Sequence, residues 1–201
     1  NDKKYKRFSE HIGQFPIIII SPTDTNLILE DSDVRRKYLD SSIAQYKQSY
    51  LQVLIQYNKA LKQRNALLKQ FHEKGYYDDI TLEIYDKQLI EHGNVIHRER
   101  KSFLKQLTPV FNKYYNEISE GNEIVDLEYK SQLNDYDFTI LITQNKEKDR
   151  LSKTTQVGTH KDDILFKMDT YPIKKIGSQG QQKTFLIALK LAQFDFIKEQ
   201  I

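Results

Sequence analysis

Ser178-Gln179-Gly180-Gln181, with Lys183 two positions further on, is the stretch whose residue types and spacing come nearest to chemistry. A serine followed three residues later by a glutamine, ahead of the apolar stripe Phe185, Leu189, Ala192 and Phe196, is the pattern of a capping box at a helix start. Taken alone, that pattern does no more than begin a helix. Its functional content is electrostatic. The first amides of a helix lack intrahelical acceptors, the helix dipole places its positive end there, Gly180 lets a ligand come close, and Lys183 adds a full positive charge. An anion such as phosphate suits that combination.

A second group, His160 with Asp162 and Asp163, has ligand types suited to a metal. None of the other histidines, at positions 11, 72, 92 and 97, shows helical ligand spacing with it, and His92 and His97, five apart, leave a helix on different faces. A structural turn is expected there, and no metal site. The absence of cysteine excludes a thiolate nucleophile, a disulfide framework and cysteine-ligated zinc or iron, and fits a reducing, cytoplasmic setting.

Net charge is +3, from 31 basic and 28 acidic residues, too balanced for bulk charge to announce nucleic-acid binding. The basic clusters are Lys3-Lys4-Lys6-Arg7, Arg35-Arg36-Lys37, Arg98-Arg100-Lys101 and Lys146-Lys148-Arg150-Lys153. Each interleaves with acids, so a solvated helix face is the default. If several converge, they contact DNA phosphates without reading sequence, and Arg35, Arg36 and Lys37 are the first candidates.

The elements that position these residues follow from periodicity. A β-branched run, Phe15-Pro16-Ile17-Ile18-Ile19-Ile20, reads as a buried strand and is far shorter than the roughly 20 apolar residues of a membrane span. Over 34–71, Leu39, Ile43, Tyr46, Tyr50, Leu54, Tyr57, Leu61, Leu68 and Phe71 recur at helical steps with no glycine or proline between them. One long helix is predicted, capped by Asp33 and closed at Lys74-Gly75. A second stripe, Leu82, Tyr85, Leu89, Ile96, Phe103 and Leu107, predicts another helix, and the short turn between them forces an antiparallel pair with arms of about 40 to 55 Å.

Thr108-Pro109 predicts a kink or a fresh helix that runs to Gly121. Beyond it, 124–129 alternates like a strand, 138–153 reads as a helix, and 155–158, 163–168 and 171–176 read as three short extended pieces. The fold class is mainly α with small β elements: a long antiparallel helical hairpin, short strands and a closing helix from Ser178. Three segments are expected, 1–32 as strand and loop, 33–121 as a helical lobe, and 122–201 as short strands and the closing helix.

Two ordered groups of motifs carry a family resemblance. Gly158-Thr159-His160-Lys161-Asp162-Asp163-Ile164, then Gly177 to Thr184, then Leu189-Lys190-Leu191-Ala192 look like the C-terminal part of the bacterial RecF family. Upstream, Ser21-Pro22-Thr23-Asp24, Leu27-Ile28 and Arg35-Arg36-Lys37-Tyr38-Leu39-Asp40 resemble the segment after that family's early strand, written Ser-Pro-Glu-Asp and Arg-Arg-x-Phe-Leu-Asp. The family resembles ATP-binding-cassette and structural-maintenance-of-chromosomes ATPases, in which two heads sandwich ATP. The resemblance implies that Ser178, Gln179, Gly180, Gln181 and Lys183 form the signature loop, facing the γ-phosphate of ATP held by a partner head, and that 33–121 is the family's second, helical lobe.

The departures are specific. No Gly-x-x-x-x-Gly-Lys-Ser/Thr loop occurs in the 201 residues, nor an apolar strand ending in paired carboxylates. Thr159 stands where the family has proline, and Ser21-Pro22 stands where related ATPases often have a metal-binding glutamine, with Asp24 a candidate substitute. The chain opens with Asn1 rather than Met and is expected to be an internal piece of a longer protein. ATP and Mg2+ are then cofactors of the complete protein, a weak DNA-dependent ATPase, with neither bound and no catalytic residue supplied by this piece alone. Implied partners are DNA, single-stranded, double-stranded or at junctions, a second copy in an ATP-dependent homodimer, and the RecO and RecR mediators, with no membrane. The competing class is a helical-hairpin module that binds another protein and no nucleotide.

Overall fold

The stripe predicted as one long helix folds as two. The computed structural model describes residues 19–121 and 123–201. After a short turn of helix, α1 (Asn26–Leu29), α2 spans Ser32–Tyr46 and α3 spans Gln48–Lys74. Lys47 between them leaves the helical region at φ −130°, ψ 85°. It is neither proline nor glycine, so tertiary packing rather than local propensity sets the break. Asp33 lies inside the first turn of α2, and Asp31 takes the cap position without a side-chain hydrogen bond. Gly75, at φ +64°, follows α3 as predicted.

Helix α4 runs unbroken over Asp79–Ser119, through Pro109. No fresh helix begins at Thr108-Pro109, for a local reason. Pro109 is exposed, and so is Lys105, whose carbonyl loses its amide partner on the side open to water. Leu107, Phe111 and Tyr115 on the opposite side are fully buried and hold both halves in place.

The later elements are β1 (Val125–Lys130), α5 (Phe138–Gln144), α6 (Lys146–Ser152), β2 (Asp163–Met168), β3 (Tyr171–Pro172), α7 (Ile173–Ile176) and α8 (Gln179–Gln200). The helix predicted over 138–153 is therefore two, meeting at Asn145. Residues 155–158 form no strand, because their amides bond to side chains instead: Thr155 N donates to Asn65 Oδ1 at 2.8 Å and Gln156 N to Asp149 Oδ1 at 2.9 Å. The third extended piece keeps only two residues as strand before turning helical. The strand predicted over 15–20 lies outside the described residues except for Ile19 and Ile20, which are exposed and have no regular structure. No described helix is long and apolar enough to cross a membrane.

The chain divides into two compact units, each drawn from several segments, whereas the expected segments 1–32, 33–121 and 122–201 follow chain order. The first takes in the described residues up to 49, with 100–130 and 163–201. It contains an antiparallel sheet of order β1-β2-β3, with Val125 opposite Met168 and Lys130 opposite Asp163. Alternation along β2 turns Ile164, Phe166 and Met168 inward. Phe166 meets Phe185 of α8 at a ring separation of 5.2 Å, and Phe185 meets Phe111 of α4 at 4.7 Å. A second aromatic group joins Tyr46, Phe103 and Phe196.

The second unit holds 50–99 and 131–162. Here α3 and α4 run antiparallel, as predicted. Arg64 bonds Asp86 and Leu68 with Phe71 packs on Leu82, while Gly93 lies against Tyr57, so numbers rise on one helix as they fall on the other. The core of this unit holds a buried ionic group. Arg64 Nε donates to Asp86 Oδ1 at 2.6 Å, and its Nη1 donates to Asp149 Oδ2 at 2.6 Å and Thr155 Oγ1 at 2.8 Å.

Candidate phosphate-binding helix end

The start of α8 is built by the predicted box. Ser178 is extended, at φ −61° and ψ 163°, and its Oγ accepts from Gln181 N at 3.2 Å. In return Gln181 Oε1 accepts from Ser178 N at 2.8 Å. Gln182 steadies the entry by donating from Nε2 to Gly177 O at 2.9 Å. Two of the four donors that a helix start leaves over belong to Gln179 and Gly180, and neither has a partner among the described residues.

Ser178, Gln179, Gly180 and Lys183 are exposed, and Gln181 is half-buried. A groove lined by Thr25, Leu29, Gln179, Gly180, Gln182 and Lys183 passes over this end. Its lining holds a lysine and no carboxylate. A Cβ added at Gly180 would come no closer than 3.9 Å to any neighbour, the Ser178 Oγ. The fold therefore makes no demand for glycine there. Exposed donors, a helix dipole and an ammonium group around an unobstructed backbone suit an anion.

Gln181 also reaches a residue that sequence reasoning missed. Its Nε2 donates to Glu123 Oε1 at 2.7 Å, and Glu123 Oε2 accepts from the hydroxyl of Tyr115 at 2.9 Å. Nothing near Glu123 in the chain signals this, since its partner lies 58 positions away.

The other candidates are placed differently. Asp24 accepts from Ser21 N at 2.8 Å through Oδ2 and pairs with Lys190 at 2.9 Å through Oδ1, so both carboxylate oxygens are engaged. Arg35 is committed to the fold: Nε and Nη2 grip Asp163 at 2.7 and 3.0 Å, and Nη1 donates to the carbonyls of Leu27 and Glu30. Arg36 donates to Ser32 Oγ at 2.7 Å and is largely buried. Lys37 pairs with Asp33 at 2.6 Å yet is 76% exposed, which makes it, of these three, the side chain most open to a phosphate.

Both ring nitrogens of His160 are engaged within the fold. Its Nε2 faces Thr155 O at 3.0 Å and must donate, which leaves Nδ1 to accept from Tyr57 OH at 2.9 Å. Asp162 is buried and Asp163 belongs to Arg35. No group of three metal-ligating side chains occurs among the described residues.

Comparison with known proteins agrees with this architecture. No family model matches the chain. The DNA replication and repair protein RecF of Flavobacterium johnsoniae is 51% identical over 200 residues, covering all of this chain and 56% of that protein. That of Bacteroides thetaiotaomicron is 42% identical over 198 residues, covering 98% of this chain and 53% of that protein. A solved structure of the recombination mediator protein RecF-ATP in the RecFOR pathway superposes with a TM-score of 0.91 at 33% identity, over all of this chain and 56% of that one. A second, of RecF-ATPrS, gives 0.90 at 33% identity. The chain thus spans about half the length of the relatives it matches.

Proposed function

Because the chain belongs to the RecF family over its whole length, we propose that it supplies the helical lobe and the signature-motif region of a DNA repair and replication protein that clamps DNA under the control of ATP. One observation carries the reading. The start of α8 exposes Ser178, Gln179 and Gly180, has two amides without a partner among the described residues, and bears a glycine that its own fold does not require.

In this reading the end of α8 meets the terminal phosphate of a nucleotide bound by a partner head. Bound ATP supplies the charged triphosphate that draws two heads together. The Ser178 hydroxyl accepts from Gln181 N and keeps its own proton for a phosphate oxygen. The amides of Gln179 and Gly180 donate alongside it, and Lys183 offsets charge without needing to touch. The Walker A loop and the residues that hold Mg2+ belong to the part of such a protein that this chain does not contain. Asp24, with both oxygens engaged, takes no metal role. The chain by itself carries out no hydrolysis.

Contact with DNA falls to exposed cations such as Lys37, with Arg35 serving the fold. RecO and RecR are the protein partners the family resemblance suggests. The test is Ser178→Arg in the full-length protein. A bulky side chain at the helix entrance blocks the second head, so ATP-dependent dimerisation measured by sedimentation fails while ATP binding by the monomer survives. Dimerisation at the wild-type level would sink the reading.

A further inference from the structure

We propose that Glu123 is a positioning residue that sets the geometry of the amino end of α8, an inference that rests on the phosphate-binding reading of that end only for its functional consequence.

The chemistry begins with Gln181. Its amide offers an acceptor on one side and a donor on the other, and the capping box works in one orientation only, with Oε1 toward Ser178 N at 2.8 Å. Flipped, the amide would point its NH2 at the Ser178 N–H and lose the bond. What selects the orientation is the group on the far side. Glu123 Oε1 stands 2.7 Å from Gln181 Nε2, and a carboxylate can only accept. The flipped amide would place oxygen against oxygen. One carboxylate therefore decides both contacts.

Glu123 is itself held. Its Oε2 accepts from Tyr115 OH at 2.9 Å, and Tyr115 is fully buried, with its ring beside Phe111 and Phe185. Burial, and the carboxylate it bonds, push the Tyr115 hydroxyl above its ordinary pKa, so it stays a donor. Glu120 and Gly121, just after α4, lie in the left-handed region, at φ 59° and 76°. Ile124 is pinned by Asp169, whose N donates to Ile124 O at 2.6 Å. From Tyr115 through Glu123 to Gln181 and Ser178, the line of hydrogen bonds is continuous. A first turn held this way presents its donors preorganised, and preorganised donors bind better than ones that must be ordered on contact.

The test uses the full-length protein with three substitutions and two readouts. Hydrogen exchange of the 177–184 segment, measured without nucleotide, reads the geometry. Dimerisation with ATP, set beside ATP affinity of the monomer, reads the function. Glu123→Ala removes a charge-assisted hydrogen bond and should speed exchange about tenfold and weaken dimerisation about tenfold, with monomer affinity unchanged. Glu123→Gln can still accept from Gln181 and bond Tyr115, and should stay within about twofold of the parent. Tyr115→Phe keeps the buried ring, removes only the hydroxyl, and should shift exchange in the direction of Glu123→Ala.

Unchanged exchange in Glu123→Ala, or a defect in Glu123→Gln as large as in Glu123→Ala, overturns the inference. Exchange needs no nucleotide, so a Ser178→Arg protein that still dimerises would remove the phosphate reading and leave the exchange result standing.

Discussion

Arg35 and Asp163, 128 positions apart, form a two-toothed ion pair that fastens α2 to the first residue of β2. Both are shielded, with side chains 13% and 24% exposed, and the remaining guanidinium donors close the end of α1 through Leu27 O and Glu30 O. A guanidinium engaged on three sides is a structural group.

Arg35→Ala should therefore cost about 2 kcal/mol of stability, a discounted fraction of the loss for breaking a fully buried pair. Lys37→Ala, at an exposed side chain, should leave stability within about 0.5 kcal/mol. In DNA binding the order reverses: Lys37→Ala lowers the slope of affinity against salt by about 1, as removal of one phosphate contact does, and Arg35→Ala leaves the slope alone. Thermal melting and salt titrations of the full-length protein decide between them. A reduced salt slope in Arg35→Ala with unchanged melting would contradict the assignment.

Arg64 faces two acids, and the imbalance has a pH signature. Replacing Arg64 with Met strands Asp86 and Asp149 in the interior and should cost about 3–5 kcal/mol. Burial pushes the Asp149 carboxyl above its ordinary range and Asp86 adds to that, against the pull of Arg64 and the Gln156 amide. A folded pKa above the unfolded one means the native state holds this proton more tightly. The contribution is then fully present below the ordinary aspartate value and is lost as pH rises through the raised one. Asp149→Asn deletes it, so stability plotted from about pH 4 to neutrality should slope more steeply upward than in the parent. Urea midpoints across that range measure it, and parallel curves would refute it.

Gly93 lies in the middle of α4, where alanine is ordinarily better by about 1 kcal/mol. Here a Cβ would sit 2.4 Å from Phe138 Cε1 and 3.1 Å from Tyr57 Cε2, on rings that are each 1% exposed and cannot withdraw. Overpacking of that kind costs about 1–3 kcal/mol and outweighs the propensity gain. Gly93→Ala should lower the melting temperature, and a rise would show that the rings yield.

What was legible in the chain was local. The Ser178 box, the β1 alternation and the antiparallel stripes of α3 and α4 each follow from residues within a turn or two of one another, and each is present. Illegible features depend on partners far along the chain. Nothing at Lys47 announces a helix break, nothing at Pro109 announces that buried Phe111 and Leu107 will carry the helix past it, and 155–158 looks extended until Asn65 and Asp149 claim its amides. The same limit governed the site. The helix end is visible in a tetrapeptide, whereas Glu123 beneath it is not, and Arg35 stands among the candidate phosphate contacts in the sequence because its partner Asp163 lies 128 positions away.

Gly180 separates structural need from functional need. In a helix's first turn, with a normal backbone and open space where a Cβ would point, it is a residue that folding alone would replace. Gly180→Ala should hold or raise stability, by up to about 1 kcal/mol, through the smaller entropy lost on folding. The methyl group would also stand in the groove beside the Gln179 and Gly180 amides, where a phosphate must approach closely to be bound. Dimerisation with ATP should then weaken about tenfold while melting is unharmed, since displacing even one of several donors from hydrogen-bond distance costs about 1.4 kcal/mol. If this end of α8 is only a helix start, the substitution raises stability and changes nothing else, so melting and sedimentation of the same sample tell the two apart.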